Sequence, residues 1–127
     1  MTLEVQVVSP ERILWSGEAD MVITRTVGGG DIAFLTGHAP FVGALEICVT
    51  TIRSDGGDEQ VAVHGGFVEV SNDRVSILSD VAELASQIDA DRARAARDRA
   101  EAAARDEHDA EAESALRRAE VRLEVVG

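Results

Sequence analysis

The chain has 127 residues, of which 45% are hydrophobic and 28% are charged. This length and composition indicate one ordinary globular domain, or a small domain with an appendage, and exclude a large multidomain enzyme. The net charge of -12 disfavours binding to nucleic acids and to anionic lipid surfaces, because both are negatively charged.

The first 86 residues have the pattern of β-strands, with short alternating apolar runs such as Val61 and Val63. Clusters of glycine, proline, asparagine and aspartate separate these runs, including residues 65–66, as sandwiches and barrels require. Residues 55–58 are the clearest hairpin turn, and the glycines at 28–30 are predicted to form another turn. We therefore predict an all-β sandwich over residues 1–86.

Residues 87–127 change to a helical composition, in which alanine is frequent and proline is absent. Asp89 is the expected N-cap of a helix over 90–105, and a polar break at 106–109 precedes a second helix over about 110–125. Because the break is short, the two helices are predicted to form an antiparallel hairpin. The fold class is therefore predicted to be α+β, with a second domain at 87–127.

The facing stripes of the predicted hairpin consist mainly of alanine. They are Ala93, Ala96, Ala100 and Ala103 on the first helix, and Ala112, Ala115, Leu116, Ala119 and Leu123 on the second. Burying an alanine methyl contributes less than about 1 kcal/mol, whereas burying a leucine contributes about 1.5 to 3 kcal/mol. Two interpretations stay open: a closely spaced permanent hairpin, or one that detaches when a ligand or partner favours one of its positions.

The sequence contains no arrangement typical of a catalytic or metal site. His38, His64 and His108 are scattered without ligand spacing, and Cys48 has no second cysteine to pair with. We expect Cys48 to be a core residue in a reducing compartment, and we expect neither a metal site nor an independent hydrolase. The chain start lacks a signal-peptide pattern and no long apolar run occurs, so a soluble intracellular location is expected.

Every basic residue is an arginine, and most of them lie in the two predicted helices. They are Arg92, Arg94, Arg97 and Arg99 on the first helix and Arg117, Arg118 and Arg122 on the second. Folding of the hairpin would bring several guanidinium groups together, and such groups bind phosphates bidentately. Glutamates in the same helices allow the alternative of surface ion pairs, which the residues alone favour.

Four motifs resemble the epsilon subunit of F-type ATP synthases. They are Val-Val-Ser-Pro-Glu at 7–11, Gly-Asp-Ile-Ala-Phe-Leu-Thr-Gly-His-Ala-Pro at 30–40, His-Gly-Gly-Phe-Val-Glu-Val at 64–70 and Ile-Asp-Ala-Asp-Arg-Ala at 88–93. Their order and spacing agree with that family over nearly the whole chain. The resemblance implies a β-sandwich followed by a helical hairpin, which the residue patterns predict independently.

The resemblance also implies a non-catalytic central-stalk subunit that couples the gamma subunit to the c-ring. Its hairpin would restrain ATP hydrolysis by reaching the alpha/beta catalytic head. Membrane association would occur only through the complex, at the cytoplasmic face of the cell membrane. Asp31 and His38 match a loop that faces the c-ring in the family, with Asp31 in place of the more usual Glu. Ala33 and Thr36 replace the usual Gly and Pro of this loop.

In some relatives the folded hairpin binds ATP. The matching positions here are Glu83, Ile88, Asp89, Arg92 and Ala93 for the nucleoside, and Arg99, Arg118 and Arg122 for the phosphates. The resemblance thus implies no required cofactor, and ATP as a regulatory ligand. The alternative is a chain that acts mainly as an ATP-binding sensor module with a weak inhibitory role.

Overall fold

A computed structural model describes residues 2–105 and 109–127 of the chain. The elements are β1 Leu3–Val8, β2 Ile13–Ala19, β3 Met21–Thr26, β4 Gly30–Leu35, β5 Phe41–Ser54, β6 Gly57–Ser71, β7 Arg74–Leu78, β8 Ala82–Leu84, a 3-10 helix Ala85–Gln87, α1 Ala90–Ala104 and α2 Ala110–Val126. The predicted α+β fold, a sandwich followed by two helices, is confirmed. Most of the predicted polar break, including His108, lies outside the described residues.

Two long strands, β5 and β6, run through both halves of the sandwich. Residues 41–45 pair with 66–70, and residues 47–54 pair with 57–64. The strand order is β2-β1-β7-β6-β5-β3-β4, with β8 paired to β6. All neighbouring strands are antiparallel except β1 and β7, which are parallel.

The two glycines at 65 and 66 form a bend inside β6 and not the predicted break between strands. Both have positive φ angles, 82° at Gly65 and 124° at Gly66. A Cβ atom at Gly66 would lie 2.1 Å from the carbonyl oxygen of Leu78. Because β5 continues beside them, the chain bends here without leaving the sheet.

The main core lies between the two halves of the sandwich and is aliphatic, as the composition predicts. Its buried members are Leu3, Val5, Val7, Ala19, Val22, Phe34, Leu45, Cys48, Ile52, Val61, Val63, Val68, Val70, Val75, Ile77 and Ala82. Cys48 is buried as predicted, and its Sγ lies 3.5 Å from the Thr24 hydroxyl. None of these core residues comes from the helices, so the sandwich encloses its own interior.

A second, smaller apolar cluster attaches the hairpin to the outer face of the sandwich. It consists of Ala62, Val121 and Val125, with Ile47, Val49 and Ile88 packed against it. The Nε of Arg117 also donates a hydrogen bond to the carbonyl oxygen of Ile47, at 3.2 Å. Helix α2 therefore docks on β5 and β6 through few apolar groups.

The seam between the helices follows the predicted alanine stripes in part. Ala93 and Ala100 of α1 and Ala112 and Ala119 of α2 are buried, whereas the predicted stripe residue Ala103 is exposed. Val121 and Val125 are also buried but do not belong to the predicted stripes. They pack against the sandwich and not against α1. The hairpin thus has two contact faces, and only the one between the helices consists mainly of alanine.

Candidate functional site

A cleft lies between the hairpin and the β8 edge of the sandwich, with a cavity volume of about 400 Å³. Its lining residues are Glu83, Gln87, Ile88, Asp89, Arg92, Ala93, Ala96, Arg99 and Arg122. This arginine cleft contains every predicted nucleotide-site residue except Arg118. It joins the sandwich, both helices and residues 87–89, which connect the sandwich to α1, so its shape depends on the docked position of the hairpin.

Local helix structure positions most of the cleft residues. Asp89 is the N-cap of α1, as predicted, and its side chain accepts a hydrogen bond from the backbone N–H of Arg92 at 3.1 Å. Three- and four-residue spacings then place Arg92, Ala96 and Arg99 on one face of the helix. Arg92 and Arg99 form no ion pair within the described part of the chain, so both can bind anionic groups.

Glu83 connects the sandwich to the hairpin. Its Oε1 lies 2.7 Å from the Nε2 of His64 and 2.7 Å from the Nε of Arg122. The hydrogen bond from His64, followed by the contact with Arg122, lowers the pKa of Glu83 below its ordinary value of 4.5 although partial burial opposes this shift. Glu83 is therefore an ionised hydrogen-bond acceptor at neutral pH.

Arg118 points away from the cleft. Its Nη2 lies 2.7 Å from the Oε1 of Glu111, which is two turns earlier on α2. Arg94 pairs with Asp91 and Arg97 with Asp98 on α1. The ion-pair alternative therefore describes these three arginines, whereas the predicted convergence describes Arg92, Arg99 and Arg122.

The structure does not bring the predicted ring-facing residues Asp31 and His38 together. Asp31 lies at the start of β4, where Arg25 of β3 binds it through two hydrogen bonds of 2.9 and 3.4 Å. Arg25 lowers the pKa of Asp31. His38 follows the other end of β4, and its ring packs at 4.9 Å between centroids against Phe34. Asp31 is thus a strand residue, contrary to the single loop that the sequence predicted.

A row of apolar side chains crosses the exposed face of the half of the sandwich that contains β1, β2 and β7. The sequence analysis did not identify this row. The register places the row members side by side in the order Val27, Ala44, Phe67, Leu78, Val8 and Ile13. Phe67 is 56% exposed, Ile13 is 55% exposed and Leu78 is 43% exposed. Consecutive apolar residues at 7–8 and 77–78 were the available signal, since neighbouring strand residues face opposite sides.

The described residues offer little for other classes of site. Among residues 2–105 and 109–127, no cluster of three or more His, Cys, Asp or Glu side chains is arranged to hold a metal ion. Within the same ranges, neither helix has the length and apolar character needed to cross a membrane.

Sequence comparisons agree with the architecture. The family profile described as ATP synthase, Delta/Epsilon chain, beta-sandwich domain, matches residues 2–85. The ATP synthase epsilon chain of Streptomyces griseus is 46% identical over 125 residues, covering 98% of this chain and 94% of that protein. The epsilon chain of Alkalihalophilus pseudofirmus is 48% identical over 100 residues, covering 79% of this chain and 74% of its own.

Two solved structures have similar folds. A chain in the mitochondrial ATP synthase OSCP/F1/c-ring structure of Euglena gracilis aligns with a TM-score of 0.81 at 23% identity, covering 97% of this chain and 79% of that chain. A chain in the mitochondrial ATP synthase central stalk/c-ring structure of Tetrahymena thermophila aligns with a TM-score of 0.55 at 13% identity, covering 99% and 94%.

Proposed function

Because the chain belongs to the ATP synthase delta/epsilon family, we propose that it is a non-catalytic subunit of the central stalk. In this proposal the sandwich binds the gamma subunit and contacts the c-ring, and the hairpin restrains ATP hydrolysis by the alpha/beta catalytic head. The subunit associates with the cytoplasmic face of the cell membrane only through the complex.

The apolar row is the observation that carries this proposal. Large side chains such as Phe67 and Leu78 lie side by side and exposed, and contiguous exposed apolar surface marks protein interaction sites. The next residues along the same face are polar, including Gln6 and Ser76, and the following ones are charged, including Glu4, Glu18 and Arg74. An apolar centre with a polar and charged margin favours a protein partner, and the family supplies the gamma subunit as that partner.

Association with purified gamma subunit tests the docking face. Leu78→Ser should raise the dissociation constant at least tenfold, because it removes an exposed apolar side chain from the row. Val81→Ser is the matched control, since Val81 is 47% exposed and lies outside the row. Separate gel-filtration peaks for gamma and the unmodified chain, or equal effects of the two variants, would reject the proposed face.

Separation of the two apolar clusters supports a regulatory role for the hairpin. The sandwich core contains no helix residue, so the hairpin can leave without opening that core. We expect the catalytic sector to hydrolyse ATP faster with a chain ending at Ser86 than with the full chain. Val121→Ala weakens docking but keeps both helices. The hydrolysis rate with this variant therefore separates the effect of removing the hairpin from the effect of changing its position. Equal hydrolysis rates with the full and shortened chains would refute the inhibitory role.

The arginine cleft supports ATP as a regulatory ligand of the docked hairpin. Arg99 supplies a cation for the phosphates, Arg92 lines the cleft among the residues predicted for the nucleoside, and Glu83 supplies an acceptor for donor groups of the base. Arg92→Ala should weaken ATP binding to the full chain at least tenfold, whereas Arg94→Ala should leave it unchanged because Arg94 does not line the cleft. An ATP titration monitored through the α1 and α2 amide resonances measures the ATP affinity of both variants. Equal affinities would remove the cleft from the proposal.

The alternative function is an ATP-sensing module with a weak inhibitory role. The same cleft favours it, and the two proposals differ in the reconstituted catalytic sector. A sensor requires that ATP binding changes the hairpin position, with little change in hydrolysis when the hairpin is removed. An inhibitor requires that ATP hydrolysis becomes markedly faster when the hairpin is removed.

A further inference from the structure

His64 is a buried imidazole beneath the docked hairpin. Its side chain is 3% exposed, on the same outer face of the sandwich as Ile47 and Ala62, which belong to the small apolar cluster. The Nε2 atom lies 2.7 Å from the Oε1 of Glu83. The Nδ1 atom is buried and makes no hydrogen bond with the described residues. An aliphatic side chain would cover this face without burying an unpartnered nitrogen, so apolar contact does not explain the residue.

The hydrogen bonds of Glu83 identify what the imidazole does. An ionised carboxylate only accepts, so the Nε2 of His64 carries a hydrogen and donates it. Arg122 donates to the same oxygen, Oε1. Within the described residues no hydrogen bond reaches Oε2, and Glu83 lines the arginine cleft. One carboxylate thus holds α2 through one oxygen and retains acceptor capacity for the cleft on the other.

We propose that His64 is a positioning residue that fixes the direction of Glu83, so that this carboxylate serves the hairpin and the ligand at the same time. With the imidazole in place, Arg122 docks at Oε1 and a ligand N–H or O–H group binds at Oε2. Without it, Glu83 can rotate toward Arg122 alone, and the cleft loses its acceptor. Hairpin docking and ligand binding are thereby coupled through a single side chain anchored in the sandwich.

The ligand part of this inference rests on the proposed ATP function, whereas the docking part does not. Two variants of the full chain separate the hydrogen bond from the volume of the ring. His64→Leu fills the space but has no donor, and His64→Gln keeps an N–H donor at a similar reach. Native-state hydrogen exchange of α2 amides without ATP measures docking, and an ATP titration measures the cleft.

In His64→Leu we expect at least threefold faster exchange of α2 amides and at least tenfold weaker ATP binding. In His64→Gln the exchange rate should return to within about 1.5-fold, and the ATP affinity to within about threefold, of the unmodified chain. Unchanged exchange of the β1 and β7 amides verifies that the sandwich is folded in each variant. In a Glu83→Ala background, which removes the acceptor for the His64 N–H, His64→Leu should have no further effect.

Two results would overturn the inference: His64→Leu that matches the unmodified chain in α2 exchange, or His64→Gln that is as defective as His64→Leu. If the unmodified chain does not bind ATP, the sensing proposal fails. The α2 exchange rates still decide the role of His64 in that case.

Discussion

Substitution of one valine in each apolar cluster tests whether the hairpin and the sandwich are separate cooperative units. Val121 belongs to the small cluster under α2 and is 0% exposed, and Val5 belongs to the sandwich core and is 1% exposed. The same change, valine to alanine, therefore removes the same atoms from two equally buried positions. The two positions differ in their cluster and in their element, which is helix α2 for Val121 and strand β1 for Val5.

The expected magnitude follows from the buried methyl groups. Each variant loses two methyls worth about 0.8 kcal/mol each, and the remaining cavity adds to the loss, so the free-energy change is about 2 kcal/mol. Since about 1.4 kcal/mol corresponds to a tenfold change in an equilibrium constant, the affected opening equilibrium shifts roughly thirtyfold. Val121→Ala should shift opening of the hairpin alone, because the small cluster that contains Val121 shares no residue with the sandwich core.

Native-state hydrogen exchange reads the two openings separately. Val121→Ala should accelerate exchange of the α2 amides and leave the β1 and β7 amides unchanged, whereas Val5→Ala should accelerate exchange of the β1 and β7 amides. Val42→Ala is the control for the substitution itself, since Val42 is 70% exposed. If Val121→Ala accelerates all amides equally, the chain opens as one unit and a detachable hairpin is refuted.

Three further outcomes are expected from single positions. The stability that Glu83 contributes is complete above its ordinary pKa of 4.5 and is lost as the pH falls below that value through the lowered folded pKa, so Glu83→Gln should flatten the acid limb of a stability-versus-pH curve. Gly66→Ala should lower the urea midpoint strongly through its clash with Leu78, whereas Gly56→Ala, which meets open space, should not. Asp109→Ala should destabilise the hairpin by about 1 kcal/mol by removing the N-cap of α2, measured as faster hydrogen exchange of the α2 amides; unchanged α2 exchange would contradict the cap.

Local signals predicted the elements well where neighbouring residues determine the structure. Asp89 caps α1 as its position before the alanine-rich segment predicts, and both helices begin at the predicted residues. Family motifs then predicted the members of the cleft. Arg118 belongs to the same predicted set but does not line the cleft, because the motif gives the position on the helix, whereas the direction of the guanidinium depends on Glu111.

Features that depend on distant strands were not predicted. The bend at Gly65 and Gly66 was interpreted as a chain break, since a glycine pair is typical of turns and only the pairing with β5 shows that the strand continues. The sequence gives His64 no role, because its partner Glu83 lies on another strand. The apolar row likewise becomes visible only when the register of five strands is known.

The shared strands β5 and β6 have a mechanical consequence. Thirteen residue pairs join them from Phe41 and Val70 at one end to Ser54 and Gly57 at the other. Twisting one half of the sandwich against the other strains this ladder, so its backbone hydrogen bonds resist the twist together. The sandwich is therefore expected to behave as a stiff elastic body, and bending should concentrate in the attachment of the helices.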